Sequence, residues 1–283
     1  MRILDGRKLS ERILTNLKKK VKKKLVLAVV LIGENPVSEI FINQKKIACH
    51  KVGINFKLFR FPSNIQVAKL KKEIEKIVKS PSNSGVIIQL PLPKKFDPED
   101  FLNLIPEEKD IDVLSEESLG KFYQGVSSIL PPTVGGILHL LKSYGISVKG
   151  KNIVILGAGR LVGFPLAVQL LREKATVSVL NEFTKDTSIF TKKADILIAA
   201  VGRPNLVKGN MVKRGAVVID AGSYSWQPRT RAAGSVRGKG KLVGDIDFKS
   251  ASKRSGFITP VPGGVGPMTV ACLLENLIKI SQK

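Results

Sequence analysis

The chain has 283 residues, enough for two domains with separate cores, and its 43% hydrophobic content excludes a disordered polymer. No apolar run is long enough to span a bilayer. The opening Met1-Arg2-Ile3-Leu4-Asp5-Gly6 lacks the apolar core and cleavage site of a secretory signal, so the expectation is a cytoplasmic protein with no membrane partner. Lys and Arg number 47 against 23 Asp and Glu, giving a formal net charge of +24 and a pI near 10.1, a field that attracts polyanions.

Near the start, Leu9, Ile13, Leu17 and Val21 recur every four residues, which predicts a helix. The lysines of Lys18-Lys19-Lys20 and Lys22-Lys23-Lys24 fall around that stripe and read as a solvated helix face or as a site for nucleic acid. Aromatic residues are only 6% of the chain and do not interleave with the basic clusters, which disfavours a single-strand stacking platform. Short β-type runs then alternate with helical patterns. Leu25 to Ile32 precedes a helix from about Pro36, with Asn35 as its cap; Ile54 to Phe59 precedes a helix around Val67 to Val78; Gly85 to Leu90 follows. This β-α-β-α-β order predicts a parallel sheet covered by helices. After the punctuated stretches Pro91-Leu92-Pro93 and Pro106 to Leu114, Pro131-Pro132 introduces another helix, and a domain boundary is expected near 118 to 125.

Strands are expected again at Asn152 to Leu156, Thr176 to Leu180, Ala194 to Val201 and Ala216 to Asp220, the pattern of a doubly wound nucleotide-binding sheet. Ser223 to Lys241 is polar, basic and without a period, and reads as a mobile loop. A glycine and proline run from Phe257 to Thr269 leads into a last helix with Val270, Leu273, Leu274, Leu277 and Ile278 on one face. The fold class is therefore α/β with two domains, a Rossmann-like doubly wound sheet and a second α/β domain. Cys49 and Cys272 both sit in helical patterns as buried thiols, and no ligand spacing marks a metal site.

The first of the later strands ends in Gly157-Ala158-Gly159-Arg160-Leu161-Val162-Gly163. A strand that turns through glycines into a helix aims backbone N–H groups and the helix dipole at one point, which suits a pyrophosphate; any tight turn also likes glycine. Glu182 follows the next strand, where a Rossmann domain places its acidic ribose ligand, and reads as that ligand or as a solvated loop charge. In the first domain, Phe41 and Lys45 are four apart and share a helical face, either to hold a flat heterocycle or as an amphipathic helix with a snorkelling lysine. Gln89 ends a strand, where open α/β sheets bind ligands. Asp110 and Asp112 flank Ile111 and would grip an amino-pyrimidine or cap a helix.

Taken in order and spacing, these segments resemble the methylenetetrahydrofolate dehydrogenase/cyclohydrolase family over essentially the whole chain. Ser38 to Cys49 is similar to the segment carrying a substrate-binding tyrosine and the catalytic lysine. Ile88-Gln89-Leu90-Pro91-Leu92-Pro93 resembles its V-Q-L-P-L-P motif, Lys109-Asp110-Ile111-Asp112 its K-D-V-D motif, and Thr259 to Thr269 its P-V-P-G-G-V-G-P-M-T signature. The resemblance implies a folate-binding catalytic domain over 1–120, completed by a carboxy-terminal helix at about 264–283, and a Rossmann-like dinucleotide domain over 121–263, with a cleft between them. It implies oxidation of 5,10-methylenetetrahydrofolate with NADP or NAD, hydrolysis of the methenyl product to 10-formyltetrahydrofolate in one-carbon metabolism, and a homodimer.

On this resemblance Lys45 is the base for hydrolysis, Gln89 orients it, Asp112 binds the pterin and Phe41 stacks on the folate. Ile88, Leu90, Pro262, Gly263, Gly264, Val265 and Gly266 complete the substrate site, and Gly157, Ala158, Gly159, Arg160, Gly163, Glu182 and Ser223 the cofactor site. Phe41 stands where the family has tyrosine, Val113 where it has glycine, Gly159 where serine is usual and Ser223 near the nicotinamide where an isoleucine-like residue is found. The basic loop exceeds the family norm. Two alternatives stay open: a dehydrogenase with weak or no cyclohydrolase activity, and a basic nucleic-acid-binding protein on this scaffold. Glu182 and Ala158 favour NAD, whereas Arg160 and the basic loop favour NADP.

Overall fold

The computed structural model describes residues 1–222, 224–226 and 241–282. Ser223 and most of the basic loop, residues 227–240, lie outside the described residues, and so do the expectations attached to them. In chain order the first elements are β1 (Arg2–Ile3), α1 (Gly6–Lys18), β2 (Val26–Ile32), α2 (Pro36–Val52), β3 (Asn55–Phe61), α3 (Val67–Lys79), β4 (Gly85–Ile88), α4 (Pro98–Leu102), α5 (Glu116–Gln124) and α6 (Pro132–Ser143). There follow β5 (Asn152–Leu156), α7 (Gly163–Arg172), β6 (Thr176–Leu180), α8 (Thr187–Thr191), β7 (Ile196–Ala199), β8 (Val217–Asp220), β9 (Tyr224–Trp226), β10 (Lys241–Val243), α9 (Phe248–Ala251), β11 (Phe257–Ile258) and α10 (Val265–Ile280).

The chain divides into two compact units, one of residues 8–136 and 267–283, the other of residues 1–7 and 137–266. In the first, β2 pairs in parallel with β3 on one side and β4 on the other. All seven residues of β2 are buried, because helices cover both faces of the sheet; this is why its sequence is a continuous apolar run without alternation. Leu27, Val29 and Leu31 pack with Leu14 and Leu17 of α1, Ile42 and Cys49 of α2 and Leu274 of α10. Ala28, Val30 and Ile32 point the other way, toward Leu70 and Ile74 of α3 and Phe101 of α4. Gly85 opens β4 because a Cβ there would lie 2.7 Å from Leu277 Cδ1.

The lysine cluster is not a helix face. α1 ends at Lys18, its buried stripe is Ser10, Leu14 and Leu17, and Lys19 to Lys24 form the exposed turn before β2. A run of like charges disfavours another helical turn, since it would stack lysines four apart.

In the second unit the sheet order is β1-β11-β8-β7-β5-β6, with every pairing parallel. From β5 the chain winds outward to β6, then returns to the other side through β7, β8 and β11, so the carboxyl ends of β5 and β7 form the topological switch point. β1 joins the far edge, Arg2 N donating to Gly256 O at 2.7 Å and Leu4 N to Ile258 O at 2.8 Å. The first seven residues thus pack with the dinucleotide-type sheet, although they precede the other unit in sequence. Two residues are too few for a strand period to show. β9 and β10 form a separate antiparallel pair.

Candidate active site

Helix α2 delivers Lys45. Asn35 caps it by accepting from Val37 N and Ser38 N, Pro36 occupies the first turn, and Gly53 closes it at φ 86°. The buried positions Ser38, Ile42, Lys45, Cys49 and Val52 follow the helical period, so Lys45 is carried inward by the same face that anchors the helix. Phe41 lies one turn before it, half-buried.

Strand β4 delivers Gln89. Ile88 is buried in the sheet, and Gln89 N donates to Val30 O at 2.9 Å, leaving the side chain at the strand's carboxyl end. Lys45 Nζ donates to Gln89 Oε1 at 2.8 Å, and both residues are only 9% exposed. Gln89 Nε2 donates to Leu90 O at 2.8 Å, which turns Oε1 toward the amine. Ser38 Oγ donates to the same carbonyl at 3.4 Å, tying α2 to the loop after β4. Residue patterns alone do not single out Ser38; its place seven residues before Lys45, on the same helical face, is the signal that points to it.

The two aspartates separate in role. Asp110 Oδ2 accepts from Leu114 N at 3.0 Å and Ser115 N at 2.8 Å, so it fixes a backbone turn. Asp112 is half-buried and within electrostatic range of Lys45. Burial lowers the Lys45 pKa, and the charges of Asp112 and Cys49 oppose that fall. Burial raises the Asp112 pKa, with Lys45 pulling it down and Asp110 pushing it further up. The Cys49 thiol, one helical turn beyond Lys45, is pushed up to about 12 by burial and is no competing nucleophile at neutral pH. The result is a buried amine whose neutral form is favoured more than that of an ordinary lysine, oriented by an amide and within electrostatic range of a carboxyl.

A cavity of about 710 Å³ opens beside this group at the ends of β2 and β3, lined by Gly33, Asn35, Arg60, Phe61 and Pro91 among others. Lys45, Gln89 and Asp112 are absent from its lining, so it is not the reacting centre.

In the other unit the glycine turn follows β5. Gly157 has φ 102°, and a Cβ on it would lie 2.4 Å from Ala200 O. A Cβ on Gly163 would lie 1.8 Å from Gly157 O, so both glycines are dictated by close backbone approach. Around Gly159 there is open space, and Ala158 is exposed. Helix α7 starts at Gly163 with no side chain capping its amino end. That combination, a bare cradle at the switch point of a parallel sheet, fits a dinucleotide pyrophosphate. Glu182 stands exposed just beyond β6, in a turn where Phe183 N donates to Asn181 Oδ1 at 3.0 Å. The run from Pro262 to Gly266 crosses into α10; Gly263 has φ 115°, and Arg7 N donates to its carbonyl at 2.8 Å.

The sheet with its glycine turn and the unit that buries a lysine beside an amide place the chain among two-unit α/β proteins that bind dinucleotides. Its first part, residues 4–112, matches the catalytic domain of the tetrahydrofolate dehydrogenase/cyclohydrolase family, and residues 131–283 match that family's NAD(P)-binding domain. The chain is 44% identical to the bifunctional protein FolD of Aquifex aeolicus, with 98% of this chain and 94% of the relative covered. The crystal structure of the bifunctional FolD methylenetetrahydrofolate dehydrogenase/cyclohydrolase from Campylobacter jejuni superposes with a TM-score of 0.91 at 40% identity, covering 100% of this chain and 99% of that one. The Trypanosoma brucei enzyme, solved with NADP cofactor and an inhibitor, gives 0.92 at 32% identity over 99% and 97% of the two chains. The chain belongs to the tetrahydrofolate dehydrogenase/cyclohydrolase family.

Proposed function

We propose that this protein oxidises 5,10-methylenetetrahydrofolate to the methenyl form with NAD or NADP and hydrolyses the methenyl form to 10-formyltetrahydrofolate. The observation that carries the second activity is the 2.8 Å bond from the buried Lys45 amine to Gln89, beside Asp112. Gly157, Gly163 and the start of α7 would hold the dinucleotide, which supplies a hydride acceptor when bound. The protein's part in oxidation is to hold the pterin end through Asp112 and to stack Phe41 on the folate, so that the methylene carbon is aligned.

In hydrolysis a water attacks the carbon between N5 and N10 of the methenyl cation. Lys45 in its neutral form accepts one proton from that water, leaving a hydroxyl on the carbon; the bond from carbon to N5 then breaks as that hydroxyl gives up its proton to form the carbonyl and N5 takes up a proton, leaving the formyl group on N10. The substrate's own positive charge adds to burial in disfavouring the protonated amine. Gln89 keeps Nζ aimed, since its amide is committed to Leu90 O on the other side. Phe41 offers a stacking face but no hydroxyl, so it takes no part in proton transfer and Lys45 is the base.

The unaltered protein supplied with methylenetetrahydrofolate and each dinucleotide in turn, followed by absorbance, tests this reading. Reduction of a dinucleotide with transient methenyl absorbance that decays to the formyl product is expected. No reduction with either dinucleotide would overturn it, and a methenyl signal that persists would leave a dehydrogenase alone.

The working state we propose is a homodimer in the cytoplasm. β6 is an edge strand of the sheet, and apolar side chains stand exposed along it and just after it: Val179, Phe183, Ile189 and Phe190, with Phe183 83% exposed. A second copy of this chain is the cover that a band of this kind calls for. Both cysteines are buried and unpaired, in keeping with a reducing compartment, and among the described residues no helix is long and apolar enough to cross a membrane.

A further inference from the structure

Two carboxylates in the dinucleotide-type unit take no part in the chemistry above. Asp245 is 0% exposed, and its Oδ2 accepts from two successive amides beyond β7, Val201 N at 2.6 Å and Gly202 N at 3.0 Å. Its other oxygen, Oδ1, has no hydrogen-bond partner among the described residues. Asp220, the last residue of β8, is also buried. Its Oδ1 accepts from Gly222 N at 3.0 Å and Asp245 N at 3.1 Å, and its Oδ2 from Ile246 N at 2.9 Å. The two side chains therefore form a relay: Asp220 holds the backbone of Asp245, and Asp245 holds the loop beyond β7.

The relay is built to close tolerance. A Cβ on Gly222 would lie 2.3 Å or less from both Asp245 oxygens, and one on Gly244 would lie 2.0 Å from Asp220 Oδ2. Both aspartates thus sit in sockets that admit only glycine as neighbour.

The consequence lies one peptide away. In a trans peptide the N–H and C=O point in opposite directions. With Val201 N–H directed at Asp245, the carbonyl of Ala200 is turned away from Asp245, and Ala200 O is the atom against which Gly157 abuts, 2.4 Å from where a Cβ would be. We infer that Asp245 is a positioning residue for dinucleotide binding, acting through the plane of the Ala200–Val201 peptide to set the glycine turn at Gly157. This rests on the reading of that turn as the cofactor cradle.

Asp245→Ala frees the peptide to rotate. The expected result is a KM for the dinucleotide raised about tenfold or more, as for a sub-ångström loss of placement, with kcat changed less. Direct titration calorimetry of the dinucleotide should show the same loss in the absence of turnover. Hydrolysis of separately supplied methenyl substrate, which consumes no dinucleotide, should stay within about twofold. Asp245→Asn, which keeps one acceptor oxygen for the two amides, should restore dinucleotide affinity to within about threefold.

Unchanged dinucleotide affinity in the alanine variant, with normal turnover by the unaltered protein, overturns the proposal alone; so does an asparagine variant as weak as alanine, or a parallel loss of hydrolysis and dinucleotide affinity. Where the alanine variant does not fold, Asp245→Ser is measured in the same way: weakened dinucleotide binding with hydrolysis retained supports the positioning role, and unchanged binding overturns it. Failure of the unaltered protein to bind either dinucleotide overturns the functional reading and this proposal together.

Discussion

Lys45 and Asp112 push each other's titration in opposite senses from burial, and their linkage makes a pH prediction. The rate of hydrolysis should rise with pH as Lys45 loses its proton, with a midpoint below the ordinary lysine value, because burial is the largest influence on it. Asp112 holds that midpoint up, so Asp112→Asn should move the rising limb to lower pH while weakening folate binding. A pH profile of methenyl hydrolysis checks this, and a limb that stays put or moves upward contradicts it. The stability sign follows too. Between the lowered folded value and about 10.4, the unfolded chain binds more protons at Lys45 than the folded one, so this group's contribution to stability rises with pH across that window.

Val113, next to Asp112, shows burial set against a backbone preference. Its φ is 57°, the left-handed region, where a β-branched residue is a true outlier, and its side chain is buried with Phe122 and Ile129. The backbone strain costs about 1–2 kcal/mol, and burying a valine contributes about 1.5–3 kcal/mol, so the apolar contact prevails. Removing the side chain should therefore destabilise by about 1–2 kcal/mol. Val113→Gly, which relieves the strain, should be at least as stable as Val113→Ala, the reverse of the usual order. Urea unfolding of the two variants decides; a clearly more stable alanine variant would contradict the strained reading.

Among the elements, α2 was almost fully legible in the sequence. Asn35-Pro36 announced its start and the four-residue spacing put Phe41 and Lys45 on one face, whereas the burial of Lys45 with Ser38, Ile42, Cys49 and Val52 was left open between an inward amine and a snorkelling one. Asn35→Ala should remove the one side-chain oxygen that accepts from both Val37 N and Ser38 N and cost about 1 kcal/mol in thermal or urea unfolding, and a variant with unchanged stability would contradict the capping role. The central strands were equally plain, because strands buried on both faces are written as unbroken apolar runs. Other features carried no such signature. β1 is too short for a period, and the end of α1 at Lys18 had no glycine or proline to mark it. The division of labour between Asp110 and Asp112 depends on which carboxyl meets the amides of Leu114 and Ser115, a matter of turn geometry that spacing leaves open. Asp220 and Asp245 are 25 residues apart and meet through backbone amides, which have no sequence identity to read.

At the scale of the whole molecule, charge and association are the properties the sequence left least determined. The net charge of +24 includes the exposed lysines of the turn Lys19 to Lys24, away from the Lys45 group in sequence, and its effect on anionic molecules should fade as salt shortens the Debye length. Association is open to a sharper test. Sedimentation at micromolar concentration should show twice the chain mass, and Phe183→Asp should shift it toward the monomer, while a monomeric unaltered protein would contradict the proposed interface.

The buried amine is the group on which the proposed chemistry turns. The direct measurement is hydrolysis of added methenyltetrahydrofolate by Lys45→Met beside the unaltered protein, with dinucleotide binding and thermal unfolding as controls for the fold. A loss of about a hundredfold or more in hydrolysis, with the controls unchanged, is the predicted result. Hydrolysis at the unaltered rate would contradict it.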